Sequence, residues 1–428
     1  MSNRVLVMGA IAPFVDLVED VKELGFEPVC CDYYEHAPAK NRVACSYNVS
    51  TTDVDAMTEI AKKHDVCGIL SAFSDRNLMP AYELAVKLGL PTFYKPKYIE
   101  LLTNKIEMKK RFMENGFPVI PYKIIKKDFE EKEIDDINFP VVVKPVDGYG
   151  SKGIKICTNI EEIRKEFEVA AKASLAYSDI ILIEEFYEAD EVSISAWVKS
   201  GTAYITCTYD VSRNFEEEVS LSYVAFPSKY GKMYHKEFES LVQRLTKAIG
   251  IIEGPVTVQC YIGDDGLKIG EYLYRLAGGS PYLYPTVFGG PNTARMMIEY
   301  QTGGKIDYQN LESFMPLTDG RYYDILVFAV QDGIIEYDFT KESLEKDISG
   351  CKKAFVYYKN GERIFDVSGK GVLVVRLFYY QEKDDDRIYM QILQELQKKI
   401  KIYNSLGENI AMIRIPNNLH QERICNLL

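Results

Sequence analysis

The chain reads as α/β at its start and α+β beyond it, and three observations carry that reading. Strand-like and helix-like runs alternate through the first hundred residues, the pattern of a parallel, doubly wound sheet. An apolar run, Val141-Val142-Val143, ends in Lys144 and passes at once into a loop with glycines at 148, 150 and 153. The stretch after residue 306 is rich in apolar runs separated by the turn signals Asp332-Gly333, Asn360-Gly361 and Gly369-Lys370-Gly371. At about 150 residues per domain, the 428 residues suggest three, placed at 1–100, 101–305 and 306–428.

Val5-Leu6-Val7-Met8 is a short strand stopped by Gly9. A helix follows over 14–24, with Phe14, Leu17, Val18 and Val21 on one face and Gly25 as its stop. Residues 28–32 form the second strand, 53–64 a helix, 68–72 a strand, and 78–88 a helix ended by Gly89. Ligands of such sheets lie beyond the strand C-termini, so residues 9–13 and Ser74-Asp75-Arg76 fall on the candidate ligand face. The middle part opens with a helix around 104–109. It continues with an apolar strand at 180–183 and an alternating, half-buried strand at 191–198. Runs 257–262 and 267–273 flank Gly263-Asp264-Asp265-Gly266, a hairpin turn, and a helix spans 293–300. The last part holds an amphipathic helix from 387 to about 403, with Ile388, Ile392, Leu393, Leu396 and Ile400 on one face. That face packs on the local sheet, with a dimer seam as the alternative.

Composition narrows the function classes. A net charge of −12 and a pI near 5.1 argue against nucleic acid or an anionic membrane as the main partner. No apolar run approaches the roughly 18 residues of a membrane helix. The N-terminus enters a strand with no signal-peptide pattern, and nine cysteines occur without a CxxC pair, as expected of reduced core thiols. A cytoplasmic protein is expected. The four histidines are far apart in sequence and give no zinc pattern.

The loop at 147–153 carries the chemistry. Successive N–H groups in a glycine-rich loop can cradle phosphate oxygens, and Lys144 is costly to bury without an anionic partner. No Gly-Lys-Ser/Thr closes the loop as in a P-loop. Gly9-Ala10-Ile11-Ala12-Pro13 lacks the second and third glycines of the dinucleotide fingerprint, although Asp32 at the end of the second strand is a weak feature in its favour. Nucleotide phosphate binding by another fold is the expectation.

In order along the chain, Asn104-Lys105, Lys144 with its loop, Glu184-Glu185-Phe186-Tyr187, Glu191, Gln259 and Glu271-Tyr272-Leu273-Tyr274-Arg275 resemble the ATP-grasp superfamily over nearly the whole length. The resemblance implies a doubly wound pre-ATP-grasp domain at 1–100, a two-lobed ATP-grasp region at 101–305 with its smaller lobe at about 120–185, and a β-rich C-terminal domain. It implies ATP and Mg²⁺, with Mn²⁺ as a substitute. Lys105 and Lys144 resemble the family's phosphate lysines. Gly148, Tyr149, Gly150, Ser151 and Gly153 resemble the flap over the triphosphate, where Lys152 is either a further donor or a solvent-facing lysine. Glu184, Glu185, Phe186 and Tyr187 resemble the hinge that reads adenine, largely through the backbone, and Glu191 the carboxylate on the ribose hydroxyls. Gln259 and Glu271, twelve residues apart, match the metal ligands. Arg275 matches the arginine facing the reacting phosphate and carboxylate, and with Lys144 and Glu271 it forms the implied catalytic set.

One position departs from the family. The usual Glu-x-Asn-x-Arg has Leu273 in place of asparagine, so one of two Mg²⁺ ions is weakened, lost, or completed by another oxygen. Arg275-Leu276-Ala277-Gly278-Gly279-Ser280 also resembles a subgroup related to the carbamoyl-phosphate synthetase large chain. On the substrate side the candidates are Arg275, Gly278, Gly279, Ser74, Asp75 and Arg213. Arg295, Tyr272, Tyr274, Tyr282 and Tyr284 are further pocket candidates, with core or interface as the alternative.

The resemblance implies an ATP-dependent ligase that activates a small-molecule carboxylate as an acyl phosphate and joins it to an amine, releasing ADP and phosphate. The expected partners are those two small molecules, with no nucleic acid and no membrane; a homodimer is the alternative assembly to a monomer. Two other readings stand beside it: a bicarbonate- or carbamate-activating carboxylase-type enzyme, and a nucleotide-binding regulatory protein with weakened catalysis. Leu273 favours the last; Glu271, Arg275 and Lys144 oppose it.

Overall fold

The computed structural model describes residues 2–148, 152–177, 179–214, 220–366, 369, 371–383 and 385–413, with backbone only at 213–214, 220–223 and 386. Strands β1 (Arg4–Met8), β2 (Glu27–Asp32), β3 (Cys45–Asn48) and β4 (Gly68–Leu70) form a parallel sheet in the order β3-β2-β1-β4. The two-residue period of a strand sends alternate side chains to opposite faces. Val5 and Val7 pack with Phe14, Leu17, Val18 and Val21 of helix Pro13–Glu23. Leu6 and Met8 pack with Met57, Ile60, Ala81 and Leu84 of helices Val54–Lys63 and Leu78–Leu88. Helices therefore cover both faces, as a doubly wound sheet requires. β3 is absent from the sequence reading because its residues are half-exposed at an edge and form no apolar run.

A second, antiparallel sheet joins β5 (Tyr122–Lys126), β6 (Val141–Lys144), β7 (Lys155–Cys157) and β8 (Ile180–Glu185) in the order β5-β8-β6-β7. Helix Ile160–Ala173 closes one face, where Val141, Val143, Ile181 and Ile183 meet Ile163 and Phe167. Alternation then turns Val142 and Lys144 to the other face, which lines a cleft. This is how a lysine ends an otherwise apolar strand.

The largest sheet contains β9 (Ala189–Lys199), β10 (Thr202–Asn214), β11 (Ser220–Phe226), β12 (Gly254–Gly263), β13 (Gly266–Leu273), β14 (Arg321–Ala329), β16 (Cys351–Val356), β18 (Val372–Gln381) and β19 (Ala411–Ile413). Its order is β13-β12-β9-β10-β11-β14-β18-β16, with β19 also on β14; β15 (Gly333–Ile334) and β17 (Arg363–Ile364) pair separately. Strands β14, β16, β18 and β19 thus continue the sheet of the middle part, through the β11–β14 pairing.

Helix His235–Ile249, missed in the sequence, lays Phe238, Val242 and Leu245 against that sheet. The last helix, Asp386–Lys399, stops short of 403. Its buried face is Tyr389, Leu393, Leu396 and, at the cap, Ile400; Ile388, expected on that face, is 41% exposed. Tyr389 stacks on Tyr323 of β14 with centroids 4.2 Å apart, so the apolar face is used within the chain. Among the described residues, no helix is long and apolar enough to cross a membrane.

Candidate active site

The sheets and their loops enclose one cleft of about 1420 Å³. Single small-ligand sites run to roughly 300–1,000 Å³, so there is room for a nucleotide and a second molecule. Its walls come from loop 73–76 of the first domain, β6, the 184–191 segment, the β12–β13 hairpin with the loop behind it, and β14 and β18.

Asn104 caps helix Lys105–Glu114: its Oδ1 accepts from Ile106 N at 3.0 Å and Glu107 N at 3.2 Å. Capping fixes where the helix begins, and so fixes Lys105. The Lys105 Nζ lies 3.0 Å from Glu271 Oε1 and donates to Gly148 O at 3.2 Å. Lys109, four residues on and so on the same helix face, is fully buried, with its Nζ 2.8 Å from Glu184 Oε1. Lys144 pairs with the other oxygen, Glu184 Oε2. Glu184 is therefore a buried carboxylate held between two lysines. Burial alone would raise its carboxyl; Lys109 and Lys144 outweigh burial and hold it below the usual range. Burial pushes the Lys144 ammonium below the usual lysine range, with Glu184 opposing and Lys109 adding to the shift. An incoming anion would stabilise that ammonium.

In the 184–187 segment the side chains of Glu184, Glu185 and Tyr187 and two amides are committed. Glu185 Oε1 accepts from Asn138 N and Nδ2 at 2.9 and 2.8 Å. Glu185 N donates to Pro121 O and Phe186 N to Pro140 O. Tyr187 Oη donates to Gly266 O at 2.6 Å, tying the segment to the β12–β13 turn. Glu191 lines the cleft from β9 and is buried; its neighbour Asp190 accepts from Tyr230 Oη at 2.6 Å and faces Lys229 Nζ at 2.7 Å.

Gln259 and Glu271 are direct partners in the β12–β13 register, so their side chains stand together on one face. Burial works to raise the Glu271 carboxyl, but Lys105, with Lys144 and Arg275, holds it at about 2. Leu273 lines the cleft and its register partner is Thr257, whose Oγ1 meets Ser195 Oγ at 3.2 Å. Among the described residues no three His, Cys, Asp or Glu side chains gather as a metal site. One carboxylate beside one amide oxygen fits Mg²⁺ only if phosphate oxygens and water complete the shell.

Arg275 is 9% exposed and its fork is filled by Asp75: Nε donates to Oδ1 at 2.8 Å and Nη2 to Oδ2 at 2.6 Å, while Nη1 donates to Leu276 O at 3.1 Å. A bidentate pair of this kind is among the stronger side-chain contacts, and it links the first domain to the site. Removing the charge in Asp75→Asn is expected to lower stability by about 1.5–3 kcal/mol, with added MgATP recovering more of the urea midpoint than in the parent protein. Equal midpoints with and without nucleotide would deny Arg275 an anion-binding role.

The structure brings Ser74, Asp75, Lys105, Lys144, Gly148, Glu184, Glu185, Phe186, Tyr187, Glu191, Gln259, Glu271, Arg275, Gly278 and Gly279 to the wall of this cleft. Gly153 is not on it: with φ +71°, it sits against helix Ile160–Ala173, where a Cβ would fall 2.7 Å from Ala173 Cβ. Tyr149, Gly150, Ser151 and the side chain of Arg213 lie outside the described residues. Arg295 serves elsewhere, donating to Asp20 Oδ1 at 2.7 Å and pairing with Glu23. Tyr272 and Tyr274 are core residues, bonded to Thr246 Oγ1 and to the carbonyls of Phe93 and Glu253, and Tyr282 is buried with its ring stacked near Phe73; only Tyr284 of that aromatic group faces the cleft. Lys109 and Arg376 were missed. Each carries a signal that sequence reading could use: i,i+4 spacing from Lys105, and a charge inside the apolar run Val372–Gln381.

Known proteins are similar to this chain in its middle part and in its fold. The ATP-grasp domain family matches residues 137–278. A formate-dependent phosphoribosylglycinamide formyltransferase of Sulfurisphaera tokodaii is 26% identical over 191 residues, 44% of this chain and 48% of its own length. The enzyme of the same name from Wolinella succinogenes is 24% identical over 251 residues, 58% of this chain and 64% of its own. The chain thus spans between about half and two thirds of the curated relatives it matches. Among solved structures, the biotin carboxylase domain of Hydrogenobacter thermophilus 2-oxoglutarate carboxylase superposes with a TM-score of 0.76 at 19% identity, over 97% of this chain and 92% of that one. The chain therefore carries a match to the ATP-grasp domain family over residues 137–278, within a fold shared with that biotin carboxylase domain.

Proposed function

We propose that the chain is an ATP- and Mg²⁺-dependent ligase that activates a small-molecule carboxylate as an acyl phosphate and transfers the acyl group to an amine, forming a carbon–nitrogen bond. The observation that carries this reading is the convergence of Lys105, Lys144 and Arg275 around Glu271 in one cleft. Such a set suits a polyphosphate on which negative charge gathers during transfer. Lys105 and Lys144 would face the phosphates, Glu191 would accept from the ribose hydroxyls, and the backbone of 185–187 would read the adenine edge. Glu271 and Gln259 would hold Mg²⁺, which when bound neutralises phosphate charge; Mn²⁺ suits the same oxygens.

The steps balance without a protein nucleophile. A carboxylate oxygen attacks the γ-phosphorus, the bond to the β-phosphate oxygen breaks, and ADP leaves. An amine nitrogen then attacks the acyl carbon, the carbon–oxygen bond to phosphate breaks, and phosphate leaves with the nitrogen losing a proton. Arg275 would hold the reacting carboxylate once Asp75 yields part of its fork, since guanidinium suits both carboxylate and phosphate.

The test is hydroxamate formation with MgATP and hydroxylamine over pooled carboxylic acids, formate included because the curated relatives are named for it. Hydroxylamine intercepts an acyl phosphate, so the acceptor need not be known. A hydroxamate that requires ATP is expected. Protein that binds MgATP yet yields none from any pool, and instead consumes ATP only with bicarbonate, would replace this reading with the carboxylase one.

A further inference from the structure

Beyond Arg275 the cleft continues to a second charged centre that the phosphate chemistry does not use. Asp324 on β14 and Arg376 on β18 both line it and are 6% and 3% exposed. Arg376 is the register partner of Leu326, two residues from Asp324, so all three share one face. The guanidinium is poorly satisfied. Its Nη2 donates to Gly279 O at 2.9 Å, but Nε, 3.2 Å from Asp324 Oδ1, and Nη1, 3.9 Å from Asp16 Oδ2, make no hydrogen bond. Asp324 Oδ1 is likewise without one, while Oδ2 accepts from Tyr284 Oη at 2.9 Å. A buried pair kept for stability gains most from fork-to-fork geometry with every proton used. This pair belongs to residues that line the cleft, yet it leaves two donors and an acceptor without hydrogen bonds, at a cost normally met by a partner.

The surrounding wall fixes the kind of partner. Tyr209, Val211, Val224, Tyr284 and Leu326 line the same stretch, with Tyr209 edge-on to Tyr284 at 5.6 Å. Gly278 and Gly279 present bare backbone there, and a Cβ on either would meet nothing within 4 Å. A cation and an anion side by side, in an apolar and aromatic surround, complement a molecule that carries both charges and an apolar body.

We infer that this chamber is the acceptor subsite and that its ligand is an α-amino acid with an apolar side chain, its carboxylate on Arg376 and its ammonium on Asp324. The inference rests on the ligase reading above and names its amine. The bound ammonium first gives one proton to Asp324, which frees the nitrogen lone pair; the amine nitrogen then bonds to the acyl carbon, the carbon–oxygen bond to phosphate breaks, and the nitrogen's second proton leaves with the departing phosphate. Burial raises the Asp324 carboxyl above its ordinary range, with Arg376 and Tyr284 opposing, which suits a proton acceptor better than a fully stabilised carboxylate would.

The experiment is calorimetric binding to the full chain in the presence of MgADP, using leucine and phenylalanine, then phenylalaninamide and 3-phenylpropanoate. Phenylalanine or leucine should bind, and each analogue lacking one charge should bind at least tenfold more weakly than phenylalanine. In Arg376→Gln the amide and the amino acid should bind alike. Equal binding of all probes to the parent protein, or no amino-acid binding in protein that binds MgADP, overturns the inference and leaves the ligase reading standing. Failure to bind MgADP overturns the ligase reading itself. The parent-protein series decides the matter even where the variant does not fold.

Discussion

Glu184→Leu is expected to cost about 3–5 kcal/mol of stability, the usual penalty for leaving buried charge without its partner. Lys109 and Lys144 both face this one carboxylate from opposite sides, and it is almost without solvent contact. Leucine fills similar volume, so the loss would be electrostatic and not a packing defect. The measurement is the urea midpoint, with far-ultraviolet circular dichroism to follow the small lobe. A change under about 1 kcal/mol would mean that the two lysines find water or each other's carbonyl neighbours without penalty. The pH dependence has a defined sign. Glu184 has its carboxyl below the ordinary value in the folded state. Its contribution is therefore complete above the unfolded carboxylate pKa and is lost as pH falls through the folded one. The variant should lack that part of the acid transition.

Glu271→Gln is expected to lower kcat by on the order of 10² to 10³-fold, the scale for losing one charge-organising contact in a phosphate-transfer site. The fold should survive. Lys105 keeps Gly148 O, and its side chain is 14% exposed at the cleft, so its charge is not stranded. Glutamine preserves size and one carbonyl oxygen, leaving the loss of charge as the change that matters. In the parent protein the Glu271 carboxyl lies at about 2 against an ordinary 4.5. Its stabilising effect is thus fully present above 4.5 and disappears as pH falls from there toward 2. Steady-state rates across Mg²⁺ concentrations, with the melting temperature as control, check both halves. A variant of normal kcat and unchanged Mg²⁺ dependence would overturn the proposed role of Glu271 in holding Mg²⁺.

The legible part of the site is the part built from neighbours in sequence. Lys144 shows itself because a charge ends an apolar strand, and alternation along β6 then places it on the cleft face. Gln259 and Glu271 stand out through the resemblance, and the tight turn between them sets the hairpin register that pairs them directly. Gly89 marks the end of its helix in the sequence and takes a left-handed backbone there in the structure, while the capping by Asn104 appears only in its hydrogen bonds. The expected face of the last helix fails at Ile388 because its apolar residues fit the period, whereas the sheet it packs on selects Tyr389.

Sequence by itself determined the doubly wound start, the lysine at the end of β6 and the hairpin turn at 263–266, since each is a local pattern of period, turn chemistry or residue type; the order of the other site candidates and the departure at Leu273 are legible only through the resemblance to ATP-grasp proteins. The tertiary structure alone decided which charges meet. Glu184 is taken by two lysines instead of a ligand, Arg275 is held by Asp75 from 200 residues away, and Arg376 meets Asp324 across two strands. It also decided that β14, β16, β18 and β19 extend the central sheet. The reason is physical. A Coulomb contact or a strand pairing depends on distance and desolvation in space, and neither is set by spacing along the chain once segments come from different elements.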